Sequence, residues 1–283
     1  MAGVLVADYI NPNMAKKLKV KGIQYFDTVG NAYINQPPVY VLVTGNKQQQ
    51  TPVTSGGKTN RAFDVAGLKV AFGFLCEPLL VGANHREIAG RTGVALGPVG
   101  WVINGLKGAG YFIDRGGGTG RRLVSRKKLL GRWVEAYPEK LKPKQRVGEF
   151  VADGPNWWKE IDIEEYGAYW GGEIAAAEYT KYLKPQTITI YLPEDVGNKL
   201  LGRARLHKAL DWTADGPDVV RRYRPFWPVE QQKNVVVRKS NEISGLVHPI
   251  LVYADIIATG DSRNLEAARM LYEQYIAEHI RED

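Results

Sequence analysis

A glycine between two short helical segments restricts the fold of this chain more than any other feature. Asn84 is a residue type that caps helices, and Glu87, three positions later, completes a capping box. Ile88 and Ala89 follow as inward-facing apolar residues, and Gly93 then supplies a tight turn. The pattern predicts two short helices that meet at a sharp angle around Gly93.

The second helix is predicted to start near Leu96, with Pro98 in its first turn, where a missing N–H costs nothing. One face carries apolar residues at helical spacing, which predicts burial against other helices: Val99, Val102, Ile103 and Leu106. The opposite face carries the side chains that remain for contacts outside the core: Pro98, Trp101, Asn104 and Lys107.

An apolar helix is predicted ahead of this pair, over residues 61–80, and a hairpin is predicted after it. Tyr111-Phe112-Ile113 and Leu123-Val124 are typical strands, and the glycine-rich stretch 116–120 is typical of a hairpin tip. Together these elements resemble a winged helix-turn-helix. In that fold the second helix of the pair enters the major groove, while the hairpin lies along the DNA backbone or minor groove. Some winged helices bind proteins instead, so an interaction scaffold is the alternative.

The positive charge of the chain is concentrated around these elements. The formal net charge is +8, but residues 58–150 carry seventeen Lys and Arg against seven Asp and Glu, which gives +10. Residues 1–57 carry +3, and residues 151–283 carry −5. A basic middle segment predicts a polyanionic partner, and with a winged helix that partner is double-stranded DNA.

The predicted DNA contacts divide into base readers and phosphate binders. Asn104 is suited to adenine, and Lys107 to guanine or phosphate. Trp101 is suited to a thymine methyl group or a sugar, with a contact to another domain as the alternative. The full set of candidate residues is Arg86, Pro98, Trp101, Asn104, Lys107, Arg115, Arg121, Arg122, Arg126, Lys127 and Lys128.

Polar and proline-containing stretches divide the chain into three predicted domains. Residues 1–59 are a small α/β segment with a linker, 60–137 are the winged helix, and 138–283 are an acidic, mixed α/β domain. The fold class is therefore α+β.

Several elements are predicted outside the winged helix. Val39 to Val43 is a β-branched and aromatic run, which predicts a buried strand. In the last domain a helix is predicted over 172–183, and strands are predicted over 187–192, 235–237 and 250–253. Asp261 is predicted to cap a final helix.

Composition excludes several other classes of protein. A single cysteine, Cys76, excludes an internal disulfide framework and a zinc site of paired thiolates. No apolar run reaches the length of a membrane helix, and the N-terminus has no signal-peptide pattern, so a soluble cytoplasmic protein is expected. The four histidines are isolated, and Gly57-Lys58-Thr59 lacks the upstream glycine of a phosphate-binding loop. No cofactor, metal or enzymatic activity is predicted.

The chain resembles the AbiEi family of antitoxins from type IV toxin–antitoxin systems. The stretches that carry the resemblance are Gly30-Asn31-Ala32-Tyr33, Gly67-Leu68-Lys69-Val70, Arg86-Glu87-Ile88-Ala89, Gly93-Val94-Ala95-Leu96-Gly97, Arg132-Trp133-Val134-Glu135-Ala136-Tyr137-Pro138, Trp170-Gly171-Gly172-Glu173, Leu251-Val252-Tyr253-Ala254-Asp255 and Gly260-Asp261-Ser262-Arg263-Asn264. The resemblance implies a winged-helix regulator that represses its own operon, often on a mobile element. It also implies a nucleotidyltransferase-like toxin that is neutralised without a stable complex. A second copy of the chain is a further candidate partner.

The first segment also resembles a reduced restriction-endonuclease-like core. That resemblance implies an acidic residue and an acid-x-Lys triplet around a magnesium ion, and Asp27 and Lys47 match two of these positions. The remaining acidic position is Gly45, which removes a metal ligand. We therefore expect a non-catalytic remnant, with a metal-dependent nuclease as the alternative function.

Overall fold

The structure is a computed structural model that describes residues 3–7, 9–46, 61–114, 116, 120–154, 156–194, 197–209, 219–228 and 245–281. The chain divides into two compact units, Met1–Lys58 and Thr59–Asp283. Four sequence predictions lie wholly or partly outside the described residues: Lys47, Arg115, residues 117–119 of the hairpin tip and the strand over 235–237.

In the described residues, the N-terminal unit consists of a sheet with one helix packed on it. Its strands are β1 (Val4–Ala7), β2 (Gln24–Asp27), β3 (Ala32–Gln36) and β4 (Val39–Val43), hydrogen-bonded in that order. β1 and β2 are parallel, and the other pairs are antiparallel. Helix α1 (Pro12–Val20) starts at Asn11, whose Oδ1 accepts a hydrogen bond from the Met14 N–H.

The prediction that β4 is buried is wrong. Val39, Tyr40, Leu42 and Val43 are exposed, and Val41 is half-buried. β4 is the edge strand, while the small core of this unit comes from Ile10, α1, β2 and β3. A β-branched run therefore forms a strand here through its propensity, without the burial that usually accompanies one.

The second unit begins with helices and a short hairpin. A 3₁₀ turn over Arg61–Phe63 leads into α2 (Val65–Cys76), and a second 3₁₀ turn over Pro78–Gly82 leads into α3 (His85–Thr92). The predicted helix over 61–80 is thus interrupted, because the residue before Pro78 is disfavoured in the helical conformation. α4 (Leu96–Gly108) follows, then strands β5 (Phe112–Asp114) and β6 (Arg121–Leu123) and helix α5 (Arg126–Ala136).

The two predicted helices on either side of Gly93 are confirmed. The Asn84 Oδ1 accepts a hydrogen bond from the Glu87 N–H at 2.9 Å and so caps α3. Gly93 has φ +64°, a left-handed conformation that residues with a side chain rarely adopt. The four predicted core positions of α4 are all buried: Val99, Val102, Ile103 and Leu106.

The rest of the second unit is built on a mixed sheet. A π-helical turn (Tyr137–Leu141) and α6 (Lys142–Gln145) lead into β7 (Arg146–Val151), and two 3₁₀ turns follow over Trp157–Glu160 and Ile163–Tyr166. Then come β8 (Tyr169–Gly171), α7 (Gly172–Thr180), β9 (Ile188–Tyr191), α8 (Gly197–Arg203), β10 (His207–Lys208) and β11 (Val219–Tyr223). The strands are hydrogen-bonded in the order β10-β7-β11-β9-β8, with only β11 and β9 parallel among these described pairs.

Two further helices lie in the described residues after β11, and the first corrects a sequence prediction. The sequence predicts a strand over residues 250–253, but these residues lie in α9 (Pro249–Ile257). His248 caps this helix, and proline occupies its first position. A short apolar run has no periodicity that separates a buried strand from a buried helix, and here Pro249 favours the helix. α10 (Ser262–Leu271) follows and continues into a π-helical turn (Tyr272–Ile276). Asp261 caps α10 as predicted, because its Oδ1 accepts from the Arg263 and Asn264 N–H groups.

The described residues of the second unit share one hydrophobic core. Trp133 of α5 stacks on Phe72 of α2 and on Tyr137, and Phe226 from the segment after β11 contacts Phe72 edge-on. The division at residue 137 into separate domains stays a prediction, while the mixed α and β composition of the fold is confirmed. None of the helices in the described ranges is long and apolar enough to cross a bilayer.

The cap of α9 gives the stability of this unit a pH dependence. Burial, reinforced by the nearby His279, lowers the pKa of His248 to about 3, and its Nδ1 accepts a hydrogen bond from the Ile250 N–H. An unfolded histidine has a pKa near 6.5. The contribution of neutral His248 to stability is therefore complete above about pH 6.5 and declines towards pH 3, by up to about 1.4 kcal/mol per pH unit.

The variant His248→Asn keeps a capping acceptor and removes the titration. We expect urea denaturation between about pH 4 and pH 6.5 to give a shallower loss of unfolding free energy for this variant than for the unmodified protein. Parallel curves for the two proteins would show that His248 does not carry the pH dependence.

Candidate nucleic-acid interface

Helix α4 presents one face to the core and the other to solvent. Its buried stripe packs against α2 and α3, which leaves the predicted base readers on the outer side. Trp101 is 61% exposed, Asn104 and Lys107 are also exposed, and Pro98 is half-buried in the first turn. Tryptophan side chains are mostly buried in folded proteins, so one this exposed is unusual. Exposed aromatic side chains of this kind are typical of an interface.

The hairpin lies against the end of α4. The Lys107 Nζ is 3.6 Å from the Asp114 Oδ2, and the Tyr111 N–H donates to the Leu106 carbonyl, so β5 follows closely on the helix. β6 lies beside the turn before α3, where the Arg121 Nη2 donates to the Ala83 carbonyl oxygen. Arg121 therefore fixes the hairpin to the helices and is half-buried, whereas its neighbour Arg122 is exposed.

Three basic residues open α5, and the structure gives them different environments. Arg126 is half-buried, and its Nη1 donates to the carbonyl oxygens of His279 and Arg281 near the end of the chain. Lys127 and Lys128 are exposed. Arg126 thus has a structural partner that sequence reasoning missed, because that partner lies about 150 residues away.

The start of α3 adds a residue beside Arg86. Arg86 is exposed in the first turn of α3, and so is its neighbour His85. A Cβ placed at Gly100 of α4 would lie 3.7 Å from the Cε1 of His85, so this imidazole borders the outer part of α4 next to Trp101. His85 is not among the DNA contacts predicted from the sequence. Its position next to Arg86, in the first turn of α3, is the signal that could have identified it.

The carboxylate of Asp27, the candidate metal ligand, accepts hydrogen bonds that stabilise the turn after β2. Its Oδ2 accepts from the Ile10 N–H and the Asn31 Nδ2, each at 2.8 Å. Its Oδ1 accepts from the Val29 N–H at 3.1 Å and the Asn31 N–H at 2.8 Å. Burial acts to raise the pKa of Asp27, but these hydrogen bonds outweigh it and hold the pKa below its usual value.

The carboxylate of Asp27 therefore has a full set of partners without a metal ion. Within the described ranges, His, Cys, Asp and Glu side chains do not gather in threes that could hold a metal. Gly45, at the position where the nuclease pattern needs an acid, has φ +95°, a conformation suited to glycine.

Comparison with known proteins identifies the family. A family model described as transcriptional regulator, AbiEi antitoxin, type IV toxin–antitoxin system matches residues 122–277, more than half of the chain. The match begins in β6, so α2, α3 and α4 lie outside it. No curated protein and no solved structure matches the chain. The chain belongs to the AbiEi antitoxin family of transcriptional regulators from type IV toxin–antitoxin systems.

Proposed function

We propose that this protein binds double-stranded DNA through residues 60–137 and represses its own operon. One observation carries the proposal: α4 buries a complete apolar face and exposes Trp101, Asn104 and Lys107 on the other. A helix held rigidly by its core face, with polar and aromatic side chains on its outer face, is the arrangement that reads a major groove. Family membership supports the regulatory role, and α2 to β6 supply the part that contacts DNA.

We assign these elements to a winged helix-turn-helix. The Asn84 cap, the left-handed Gly93 and the hairpin paired through Phe112 and Leu123 support the assignment. In it α3 is the supporting helix, α4 the reading helix, and β5 with β6 the wing.

The charges beside the hairpin support a polyanionic partner. α5 has no acidic residue in its first turn and begins with Arg126, Lys127 and Lys128. Cations are disfavoured at a helix N-terminus by the helix dipole, so two exposed lysines there oppose the local preference. An approaching phosphate would interact favourably with both the lysines and the helix end.

We further propose that the protein is not an enzyme. Both carboxylate oxygens of Asp27 already accept two hydrogen bonds each, which supports this proposal for the N-terminal unit. The acidic C-terminal domain, residues 138–283, then acts as the antitoxin against a nucleotidyltransferase-like toxin. It does so without forming a stable complex with the toxin. A homodimer would place two reading helices on half-sites one helical turn apart.

Footprinting on DNA upstream of the protein's own gene tests the proposal. We expect protection of a defined site, with binding that weakens as salt rises and without cleavage in the presence of Mg²⁺ or Mn²⁺. Binding that is absent or insensitive to salt would favour a protein-interaction scaffold. Cleavage would favour the nuclease alternative.

Replacing Asn104 with alanine separates base reading from backbone binding. Because a paired contact between an asparagine amide and adenine discriminates between bases, we expect a loss of about 1–3 kcal/mol on the protected site and little loss on random DNA. Fluorescence anisotropy with the two duplexes measures both values. Asn198→Ala, an exposed asparagine of α8, is the matched control. Equal losses of binding free energy on the two duplexes would show that Asn104 does not contact bases.

A further inference from the structure

The sheet of the N-terminal unit has one face covered by α1 and one face that is open. Tyr25 of β2 and Tyr33 of β3 are buried with Ala15 and Leu18, so α1 lies on their side of the sheet. Side chains alternate between the two faces along a strand, which places the neighbours of these tyrosines on the opposite side. We call that side the open face, and its apolar side chains include Val4, Val6, Phe26, Val39, Val41 and Val43.

The strand register makes the open face continuous. One row of paired residues crosses all four strands: Val6, Phe26, Ala32 and Val43. Five side chains of the open face are each 41–62% exposed: Val4, Val6, Phe26, Val39 and Val43. Together they expose roughly 400–500 Å² of apolar surface, a patch of the size that marks an interaction site on a monomer.

The charge of this unit lies away from the open face. Asp27 is the one charged residue of the four strands, and it pairs with Ala7 on the side of α1, where its carboxylate accepts from the Ile10 N–H. Lys16, Lys17 and Lys19 belong to α1 itself. DNA and anionic membranes are bound through cations, which the strands do not place on this face. The open face therefore suits an uncharged, apolar protein surface.

A second copy of the same face meets these requirements. Two apolar sheets pack face to face about 10 Å apart with their side chains interdigitated. Two uncharged faces meet without like-charge repulsion, and a two-fold axis lets one patch serve both copies. The pair would bury about 1,000 Å² in total, which is the size of a weak but specific interface.

We propose that two copies of this protein form a weak dimer through the open faces of their N-terminal units. The second sheet supplies the layer that the first one lacks, since α1 covers one side only and the buried core of the unit is small. The inference does not rest on DNA binding, which we assign to residues 60–137.

Sedimentation equilibrium of the full chain without DNA, over about 1–100 μM, tests the dimer. We expect a reversible equilibrium between monomer and dimer in the micromolar range. Replacing Val6 and Val43 together by lysine puts a cation at each end of the apolar row. The dissociation constant should then rise at least about 10-fold, because the second copy would bury these charges against apolar side chains.

Two further variants make the result specific to the open face. Met14→Lys with Val20→Lys adds the same charge at exposed apolar positions of α1 and should leave the dimer unchanged. Val6→Glu with Val43→Glu should not dimerise alone but should form a mixed dimer with the Val6→Lys, Val43→Lys protein, because opposite charges then meet.

The proposal is overturned by a monomer over the whole concentration range, which would mean that another part of the chain or a different protein covers the face. It is also overturned by equal weakening in the α1 control, or by the absence of the mixed dimer when circular dichroism shows both variants to be folded.

Discussion

Replacing Asp255 with alanine is expected to lower the free energy of unfolding by about 3–5 kcal/mol, because it removes one partner of a buried ion pair. Asp255 is buried in α9, and its Oδ1 lies 2.8 Å from the Lys142 Nζ. The Tyr191 hydroxyl donates to the Asp255 Oδ2 at 3.0 Å, and the Tyr137 hydroxyl donates to the Oδ1 at 3.2 Å. Alanine would leave two buried hydroxyls and one half-buried ammonium without the carboxylate that they share.

The electrostatics of the cluster agree with this expectation. Burial opposes the charge of Lys142, but the attraction of Asp255 outweighs it and raises the pKa of the lysine. Burial, with the adjacent carboxylate, raises the pKa of both Tyr137 and Tyr191, so their hydroxyls remain protonated donors. The charge of Lys142 is thus stabilised by Asp255.

Urea denaturation of three variants separates the ion pair from general packing. Glu273→Ala removes one side of an exposed ion pair with Arg269 and should cost no more than about 0.5 kcal/mol. The double variant Asp255→Leu with Lys142→Met replaces the pair by apolar groups and should recover much of the loss. Without the carboxylate, one of the Tyr137 and Tyr191 hydroxyls, whose oxygens lie 2.7 Å apart, can donate to the other. If Asp255→Ala were no worse than Glu273→Ala, the cluster would not stabilise the fold.

This cluster joins the two parts of the chain that the sequence divides at residue 137. Tyr137 follows α5, Lys142 begins α6, Tyr191 ends β9, and Asp255 lies in α9. All four residues lie inside the segment that matches the AbiEi antitoxin model. We therefore expect the hairpin-bearing part and the C-terminal part to unfold together.

Local signals made part of this structure predictable. The Asn84 cap, the Gly93 turn and the buried stripe of α4 depend on residues within one or two turns of each other, and these predictions were confirmed. Asp261 is a further cap of this kind. Each feature satisfies backbone groups or covers an apolar face using its own neighbourhood, so the sequence pattern is sufficient.

Long-range partners were not predictable in the same way. Arg121 and Arg126 appear in the sequence as ordinary members of a basic cluster, but they donate to carbonyl oxygens 38 and about 150 residues away. The exposure of Val39 to Val43 depends on where α1 packs, and not on the strand itself. No periodicity reveals these relations, because they arise only when distant elements meet.

The exposure of the basic side chains predicts which of them contribute to the salt dependence of DNA binding. Arg122, Lys127 and Lys128 are exposed. Arg121 and Arg126 instead donate hydrogen bonds to backbone carbonyl oxygens of the protein. With about six phosphate contacts, log K should fall with log salt at a slope of about −5. Replacing Arg122, Lys127 and Lys128 by alanine together should flatten the slope by up to about 2.7, since each phosphate contact contributes about 0.9.

The same triple variant should bind all DNA sequences more weakly, by about two to three orders of magnitude near 0.1 M salt, because phosphate contacts do not discriminate between bases. Its matched control replaces Lys181, Lys184 and Lys199, three exposed lysines outside residues 60–137, and so changes the net charge equally. Anisotropy titrations at several salt concentrations should show a slope near that of the unmodified protein for the control. Equal slopes for the two triple variants would mean that net charge alone governs binding, and that DNA does not contact the hairpin and the start of α5.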